Sequence, residues 1–266
     1  AAEFSWSQTS TAIRASSIRT DQKMTGVKNR IQYRLARILY PRADHIFALS
    51  ESVKKNMNRH YGINSEFIST VYNPVAVDNI QQQARETVDC KLLKTDSEIL
   101  LSVGRLSEEK DVSTTIRAFS RLTDSRDVEL VILGKGSQER KLKQLVADLG
   151  ITEQVHFVGF VDNPFTYMDA ADVFVLSSKW EGFGNVIVEA MACGCPVVAT
   201  DCPSGPAEIL ADGAYGRLVP IGNPGALAAA LCETINEPVE EDRLISRASE
   251  FSTTTAVNQY ENLLWG

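Results

Sequence analysis

The sequence predicts an α/β fold built on a Rossmann-like, doubly wound parallel sheet. Short apolar runs, which are typical of strands covered on both faces, alternate with segments whose apolar residues recur at helical one-face spacing. The run Val173–Leu176 and the stripe Leu142, Leu145, Val146 and Leu149 are the clearest of each kind. This alternation implies a parallel sheet with helices on both faces. A chain of 266 residues with 44% hydrophobic content can bury a core of that size.

The apolar runs place the strands, and the stripes place the helices. We expect five strands, at residues 99–103, 129–133, 155–158, 173–176 and 196–199. We expect five helices, at residues 112–122, 138–149, 185–193, 224–236 and 254–264. In the first of these helices, Val112, Ile116 and Phe119 fall on one face.

A glycine-rich turn stands between a strand and a helix in the segment WEGFGNVIVEAMACGCPVVAT, residues 180–200. Gly182 and Gly184 allow a sharp turn and let the backbone approach a ligand closely. The helix from about Asn185 presents free N–H groups and the positive end of its dipole, which suit a phosphate. The turn therefore predicts a phosphate-binding position.

Two glutamates flank this turn. Glu181 stands at the carboxyl end of the strand, where open α/β sheets bind ligands. Glu189 lies one turn inside the helix, where a carboxylate can accept two hydrogen bonds from a ribose diol. Eight helical residues span ~12 Å, which is wide for the carboxylate pair of a glycosidase, roughly 5 to 9.5 Å. Either glutamate alone is typical of a surface or helix-face residue. Together with the turn, the two predict a site that binds both ends of a nucleotide-sugar.

A second loop carries cations. Gly104 ends a strand, and Arg105 and Lys110 flank the loop that follows. A forked guanidinium and a compact ammonium suit a diphosphate leaving group. The chain contains no Asp-x-Asp, so two cations could replace a metal as the neutralising charge. The alternative is a solvated basic pair beside Glu108 and Glu109.

The segments GRLSEEKD, VILGKGS, HFVGFV and EGFGNVIVEAMACGCPVVAT resemble the donor-binding half of the retaining GT-B glycosyltransferases of family 4, the glycosyl transferases group 1. The resemblance covers roughly residues 40–266. It implies a hexosyltransferase that needs no metal and no cofactor besides its nucleotide-sugar substrate. It also implies that Arg105 and Lys110 bind the diphosphate, and that Glu189 holds the ribose.

The resemblance assigns the remaining site residues as well. Glu181 and the backbone of the glycine turn would hold the donor sugar and the phosphates, and Phe160 and Val161 would frame the base. The implied catalytic residues are Glu181, Arg105 and Lys110. The implied donor-binding residues are Gly104, Phe160, Val161, Gly182, Phe183, Gly184, Asn185 and Glu189.

The same resemblance divides the chain into three parts. Residues 1–75 would be the last part of the N-terminal acceptor domain, with Asp44–Ser50 as its final strand. Residues 76–250 would form the nucleotide-sugar-binding domain, and residues 251–266 a helix that crosses back. The family's N-terminal glycine-rich turn and its acceptor-side His and Asp have no match. We therefore expect a truncated chain that binds a donor and does not turn over alone.

Charge is unevenly distributed along a chain of net charge −7. Residues 1–60 hold eleven Lys or Arg against four Asp or Glu, and the remainder is acidic. Arg30, Arg34 and Arg37 share one face of a predicted helix in the basic segment 23–42. This helix would contact the inner face of a membrane or pack, solvated, on the missing domain. No signal peptide or spanning segment is evident, so we expect a cytoplasmic location.

Several weaker patterns exclude other classes. The acidic nucleotide half lacks interleaved aromatic and basic residues, which argues against nucleic acid. The five cysteines lack a zinc spacing, and Cys193 and Cys195 are expected to be small buried residues in a reducing compartment. The Gly134-Lys135-Gly136 turn lacks the third glycine of a dinucleotide fingerprint. His156 is expected to be a satisfied core residue.

Three functional hypotheses follow. The first is a retaining transferase that moves a hexose or N-acetylhexosamine to a cell-envelope glycan or lipid-linked acceptor. UDP is favoured as the nucleotide because the EGFGN turn and PSGP loop resemble transferases of UDP-linked sugars. The second is a nucleotide-sugar 2-epimerase or sugar phosphorylase on the same fold. The third is a non-catalytic nucleotide-sugar-binding module.

Overall fold

The computed structural model describes residues 12–15, 38–86, 96–203 and 205–265. The chain divides into two compact units, Ala1–Asn73 and Pro74–Gly266. The basic helix predicted within residues 23–42 lies largely outside the described residues, as do Cys90 and Ser204.

The first unit contains a three-stranded parallel sheet. Its strands, in spatial order, are β1 (Ala12–Ala15), β2 (His45–Ala48) and β3 (Ile68–Thr70). Helix α1 (Glu51–Tyr61) begins where the Ser50 hydroxyl accepts the N–H of Val53 at 3.0 Å, and it ends at the left-handed Gly62. The buried core comprises Ile46, Ala48, Val53, Met57, Ile63 and Ile68.

The expectation for Asp44–Ser50 needs a correction. A strand does form there, as β2, but it is not the last strand of the unit, because β3 follows it and pairs with it in parallel. The segment Ile68–Thr70 was missed because three residues give too short an apolar run to be recognised.

The second unit is a six-stranded parallel sheet in the order β6-β5-β4-β7-β8-β9. The strands are β4 (Glu98–Val103), β5 (Val128–Leu133), β6 (Val155–Gly159), β7 (Val173–Leu176), β8 (Val197–Thr200) and β9 (Arg217–Val219). The helices are α2 (Val77–Ala84), α3 (Val112–Phe119), α4 (Glu139–Asp148), α5 (Phe165–Ala170), α6 (Asn185–Ala192), α7 (Pro206–Ile209), α8 (Pro224–Asn236), α9 (Glu241–Ser249) and α10 (Thr253–Trp265).

Alternating strand residues build a core on each face of this sheet. Leu100, Leu130 and Val175 pack with α3, α4 and α8 on one face. Their sequence neighbours point to the other face, where α5 and α6 contact the strands and α2 and α9 contact α5 and α6. The predicted doubly wound parallel sheet is therefore confirmed.

The five predicted strands and five predicted helices are all present, with ends within a few residues of the expected positions. Cys193, Cys195 and Cys202 are buried free thiols, as expected for the first two. Burial raises the pKa of Cys193 and of Cys202 to about 12.

The interpretation of His156 as a core residue was wrong. Its side chain is partly exposed, and its Nε2 lies 2.6 Å from Oε2 of Glu129 on the neighbouring strand. This partner is 27 residues distant in sequence, so only the pairing of β5 with β6 brings it close.

Candidate functional site

The strand order reverses direction between β4 and β7. The chain proceeds from β4 outward through β5 and β6, and then returns to pair β7 with the opposite edge of β4. Ligands of open α/β sheets bind in the crevice outside the carboxyl ends of the strands at such a reversal. The loops leaving β4 and β7 carry Lys110 and Glu181, so both predicted residues reach this crevice.

The glycine turn enters α6 in the predicted way. Gly184, with φ of 97°, precedes the helix, and no side-chain hydrogen bond caps this helix start. Gly205 packs against the turn so closely that a Cβ there would lie 1.6 Å from the carbonyl oxygen of Phe183. The Phe183 ring is buried and lies 5.7 Å from the ring of Phe251. The turn is therefore fixed by packing from two later segments.

Lys110 and Glu181 form an ion pair in this crevice. Nζ of Lys110 lies 2.6 Å from Oε1 of Glu181, and the two side chains are 22% and 9% exposed. The hydroxyl of Ser178 donates to the same oxygen at 2.6 Å. Two donors on one oxygen fix the orientation of a nearly buried carboxylate.

The backbone at Lys110 is held separately. The buried Ser177 hydroxyl donates to the carbonyl oxygens of Lys110 and Asp111, at 3.1 and 2.9 Å, and accepts from Thr115 at 2.8 Å. Asp111 adopts a left-handed conformation with φ of 43°, and its carboxylate accepts from Ser113 and Thr114. A non-glycine residue with this backbone is strained, and such strain clusters at functional sites.

Glu189 lies on α6, one turn beyond the glycine loop. Burial raises the pKa of its carboxyl, and no charged neighbour among the described residues contributes to that shift. A desolvated carboxylate with no cationic partner among them keeps its oxygens for hydroxyl donors. The contact of Glu189 to a ribose diol stays a prediction.

A second group of predicted residues lines an adjacent cavity of about 620 Å³. Arg105, Phe160 and Val161 lie on its wall with Lys135 and Pro164. The Phe160 side chain is 70% exposed, which is unusual for a large apolar ring. Gly104 also lines the cavity, and its N–H donates to the carbonyl of Leu133 at 3.0 Å.

The two predicted cations differ in their surroundings. Arg105 is exposed on the cavity wall, whereas Lys110 contacts Glu181. Sequence reasoning missed Ser177, Ser178 and Lys135. The consecutive serines at the end of a buried strand were the available signal, because hydroxyls buried there need partners.

The family model of the glycosyl transferases group 1 matches residues 84–251, which is more than half of the chain. The chain belongs to this family. A second model, Glycosyltransferase Family 4, matches residues 18–79. The predicted family resemblance is confirmed, and the solved structures that the chain resembles are GT-B glycosyltransferases.

Curated relatives of the chain are named glycosyltransferases. An N-acetylgalactosaminyltransferase of Campylobacter jejuni, named for an N-acetylgalactosamine-N,N'-diacetylbacillosaminyl-diphospho-undecaprenol acceptor, is 35% identical over 210 residues, covering 79% of this chain and 54% of the relative. The lipopolysaccharide core biosynthesis glycosyltransferase LpsE of Rhizobium meliloti is 38% identical over 165 residues, covering 62% and 46%. The chain spans about half the length of the curated relatives it matches.

Among solved structures, the chain resembles Anabaena HepE in complex with UDP. The TM-score is 0.83 at 24% identity, covering 95% of this chain and 71% of HepE. This likeness shows a shared fold. No helix in the described part of the chain is both long and apolar enough to cross a bilayer.

Proposed function

We propose that this chain binds the donor of a retaining glycosyltransferase, which moves a hexose or N-acetylhexosamine from a nucleotide-diphosphate sugar. The observation that carries the proposal is the Lys110–Glu181 pair at the sheet reversal, beside an uncapped helix start. A cation, an oriented carboxylate and a helix start without a side-chain cap together match a diphosphate joined to a hydroxyl-bearing ring.

The two halves of the donor have separate candidates. Glu181 would accept a hydrogen bond from a sugar hydroxyl, and the backbone of Gly182, Phe183, Gly184 and Asn185 would face the phosphates. Arg105 and Lys110 would carry the positive charge that stabilises the departing diphosphate without a metal ion. The acceptor hydroxyl would attack from the face that the diphosphate leaves.

Glu189 and the cavity would hold the nucleoside. The desolvated Glu189 carboxylate suits the two hydroxyls of a ribose. The cavity wall at Gly104, Phe160 and Val161 is mostly backbone and apolar surface, which would frame a base. All of these groups lie in the second unit, so we assign donor binding to residues 76–250. We assign residues 1–75 to the acceptor side and residues 251–266 to a crossover helix.

UDP is the nucleotide we favour, and the named ligand of the HepE structure supports this choice. The names of the relatives from Campylobacter and Rhizobium support a lipid-linked or cell-envelope acceptor. Such acceptors are amphiphilic, which is consistent with a cytoplasmic protein that works at the inner membrane face. The basic segment 23–42 is our candidate for membrane contact.

Calorimetric titration with UDP, GDP and ADP, each with and without EDTA, tests the proposal. We expect saturable binding of UDP that is stronger than that of the other two nucleotides and unaffected by EDTA. Binding of none of the three would contradict the assignment. Loss of UDP binding in EDTA would show that a metal ion, rather than the two cations, neutralises the diphosphate.

A further inference from the structure

Ser178 is a buried hydroxyl with a single acceptor among the site residues. It is 0% exposed, and its Oγ donates to Oε1 of Glu181 at 2.6 Å. It is the second residue after β7, and Glu181 lies three residues further, at the start of the glycine turn. A hydrogen bond to a charged group inside a low-dielectric site is stronger than one at the surface.

The two oxygens of Glu181 differ in their contacts. Oε1 accepts from both Ser178 and Lys110, each at 2.6 Å. No hydrogen bond or ion pair of the described residues reaches Oε2. A nearly buried carboxylate with one oxygen fully engaged and the other unengaged has a defined direction in which it can accept a ligand hydroxyl.

The backbone of Ser178 is itself held by a hydrogen bond from the neighbouring strand. Its carbonyl oxygen accepts the hydroxyl of Thr200 at 2.6 Å, and Thr200 is 0% exposed at the end of the neighbouring strand β8. The backbone from which the Ser178 hydroxyl projects is therefore held by the sheet. Lys110, in contrast, has a long side chain that is 22% exposed, so by itself it restricts the carboxylate less.

We infer that Ser178 is a positioning residue for donor recognition: it fixes Glu181 so that Oε2 faces the sugar of the bound nucleotide-sugar. The inference rests on the proposed function for the identity of the ligand, but the positioning itself is a property of the free chain. Without the hydroxyl, Glu181 can rotate about its side-chain bonds, and the sugar loses a pre-oriented acceptor.

A ligand-free experiment tests the positioning. The coupling free energy between Lys110 and Glu181 is measured by urea unfolding of a double-mutant cycle with Lys110→Met and Glu181→Gln. The cycle is repeated with Ser178→Ala present throughout. We expect the coupling to fall to roughly half or less when the hydroxyl is absent. An unchanged coupling would overturn the inference.

A binding experiment tests the consequence for the donor. Ser178→Ala should weaken UDP-glucose binding by about tenfold while leaving bare UDP within about twofold. Ser178→Cys has a side chain of similar shape that donates only weakly. Its Kd for UDP-glucose should lie between those of the unaltered chain and Ser178→Ala. Ser246→Ala, at an exposed serine of α9, should change neither ligand.

The two experiments separate this inference from the proposed function. Equal weakening of both ligands by Ser178→Ala would show a merely structural role and overturn the inference. If the unaltered chain binds neither UDP nor UDP-glucose, the proposed function fails, and the ligand-free cycle still decides whether Ser178 positions Glu181.

Discussion

Lys110 and Glu181 are 71 residues apart in sequence, yet Nζ and Oε1 lie 2.6 Å apart because β4 and β7 are neighbours in the sheet. The pair joins the two loops that leave these strands. A single contact therefore connects the candidate phosphate side of the site with the candidate sugar side. Perturbing either partner should affect both sides to different extents.

Removing either predicted phosphate ligand should weaken UDP. Charge-assisted hydrogen bonds contribute about 1.5–3 kcal/mol, so Arg105→Ala or Lys110→Ala should each raise the Kd for UDP by roughly 10- to 150-fold. Calorimetry gives the Kd values directly. Arg117→Ala, at an exposed arginine of α3, is the matched control and should leave the Kd unchanged. If neither site substitution changes the Kd for UDP, the assignment is contradicted.

We expect the two glutamates to bind different parts of the donor. Glu189→Gln should weaken UDP and UDP-glucose alike, because both contain the ribose. Glu181→Gln should weaken UDP-glucose by about tenfold and leave UDP nearly unchanged, because only the sugar form reaches it. Parallel titrations of both variants with both ligands decide this. Equal losses for both ligands in both variants would show that the roles are misassigned.

The half-buried Glu189 should make stability depend on pH. Its folded pKa lies above the unfolded value, so the folded chain holds the proton more tightly, and stability falls as pH rises through that interval. Glu189→Gln abolishes this titration. Its melting temperature relative to the unaltered chain should therefore increase as pH rises above about 4.3, the ordinary glutamate pKa. Glu153→Gln, at an exposed glutamate, is the control. A difference that stays constant with pH would argue against a desolvated Glu189 carboxyl that ionises in the folded chain.

Gly205 should tolerate no side chain. An added Cβ would lie 1.6 Å from the Phe183 carbonyl oxygen, and its φ of 126° disfavours other residues. Gly205→Ala should cost more than about 3 kcal/mol of unfolding free energy. Gly222→Ala, where φ is 67° and no atom lies within 4 Å, should cost only about 1–2 kcal/mol. Urea unfolding of both variants measures the difference. Equal losses of unfolding free energy would show that the turn can rearrange to accept a side chain.

The sequence predicted the elements whose signal is local. Strands such as Val173–Leu176 are continuous apolar runs, and the glycine turn before α6 is marked by its own residues. Helix α9 was missed because only Leu244 and Ala248 are buried on it, which is too narrow a stripe to recognise. Strand β9 was missed because it is three residues long and begins with Arg217.

The site was predicted as a set of residues but not as a set of contacts. Glu181, Glu189, Arg105 and Lys110 were identified from chemistry and spacing. The pairing of Lys110 with Glu181 and the support from Ser178 depend on the order of strands in the sheet, which periodicity does not specify. The domain boundaries and the role of each residue stay predictions.

The return of the chain from β6 to β7 has a consequence for folding. β4, β5 and β6 are joined by successive local crossovers. The connection from β6 to β7, in contrast, passes back over β5 and β4 before β7 pairs with the other edge of β4. During synthesis, these three strands can pair before Glu181 has left the ribosome, but they carry only the cationic loop and the cavity wall at Phe160 and Val161. We expect the chain to bind a nucleotide-sugar only after β7 has paired with β4. Binding of the ligand would therefore show that the sheet is complete.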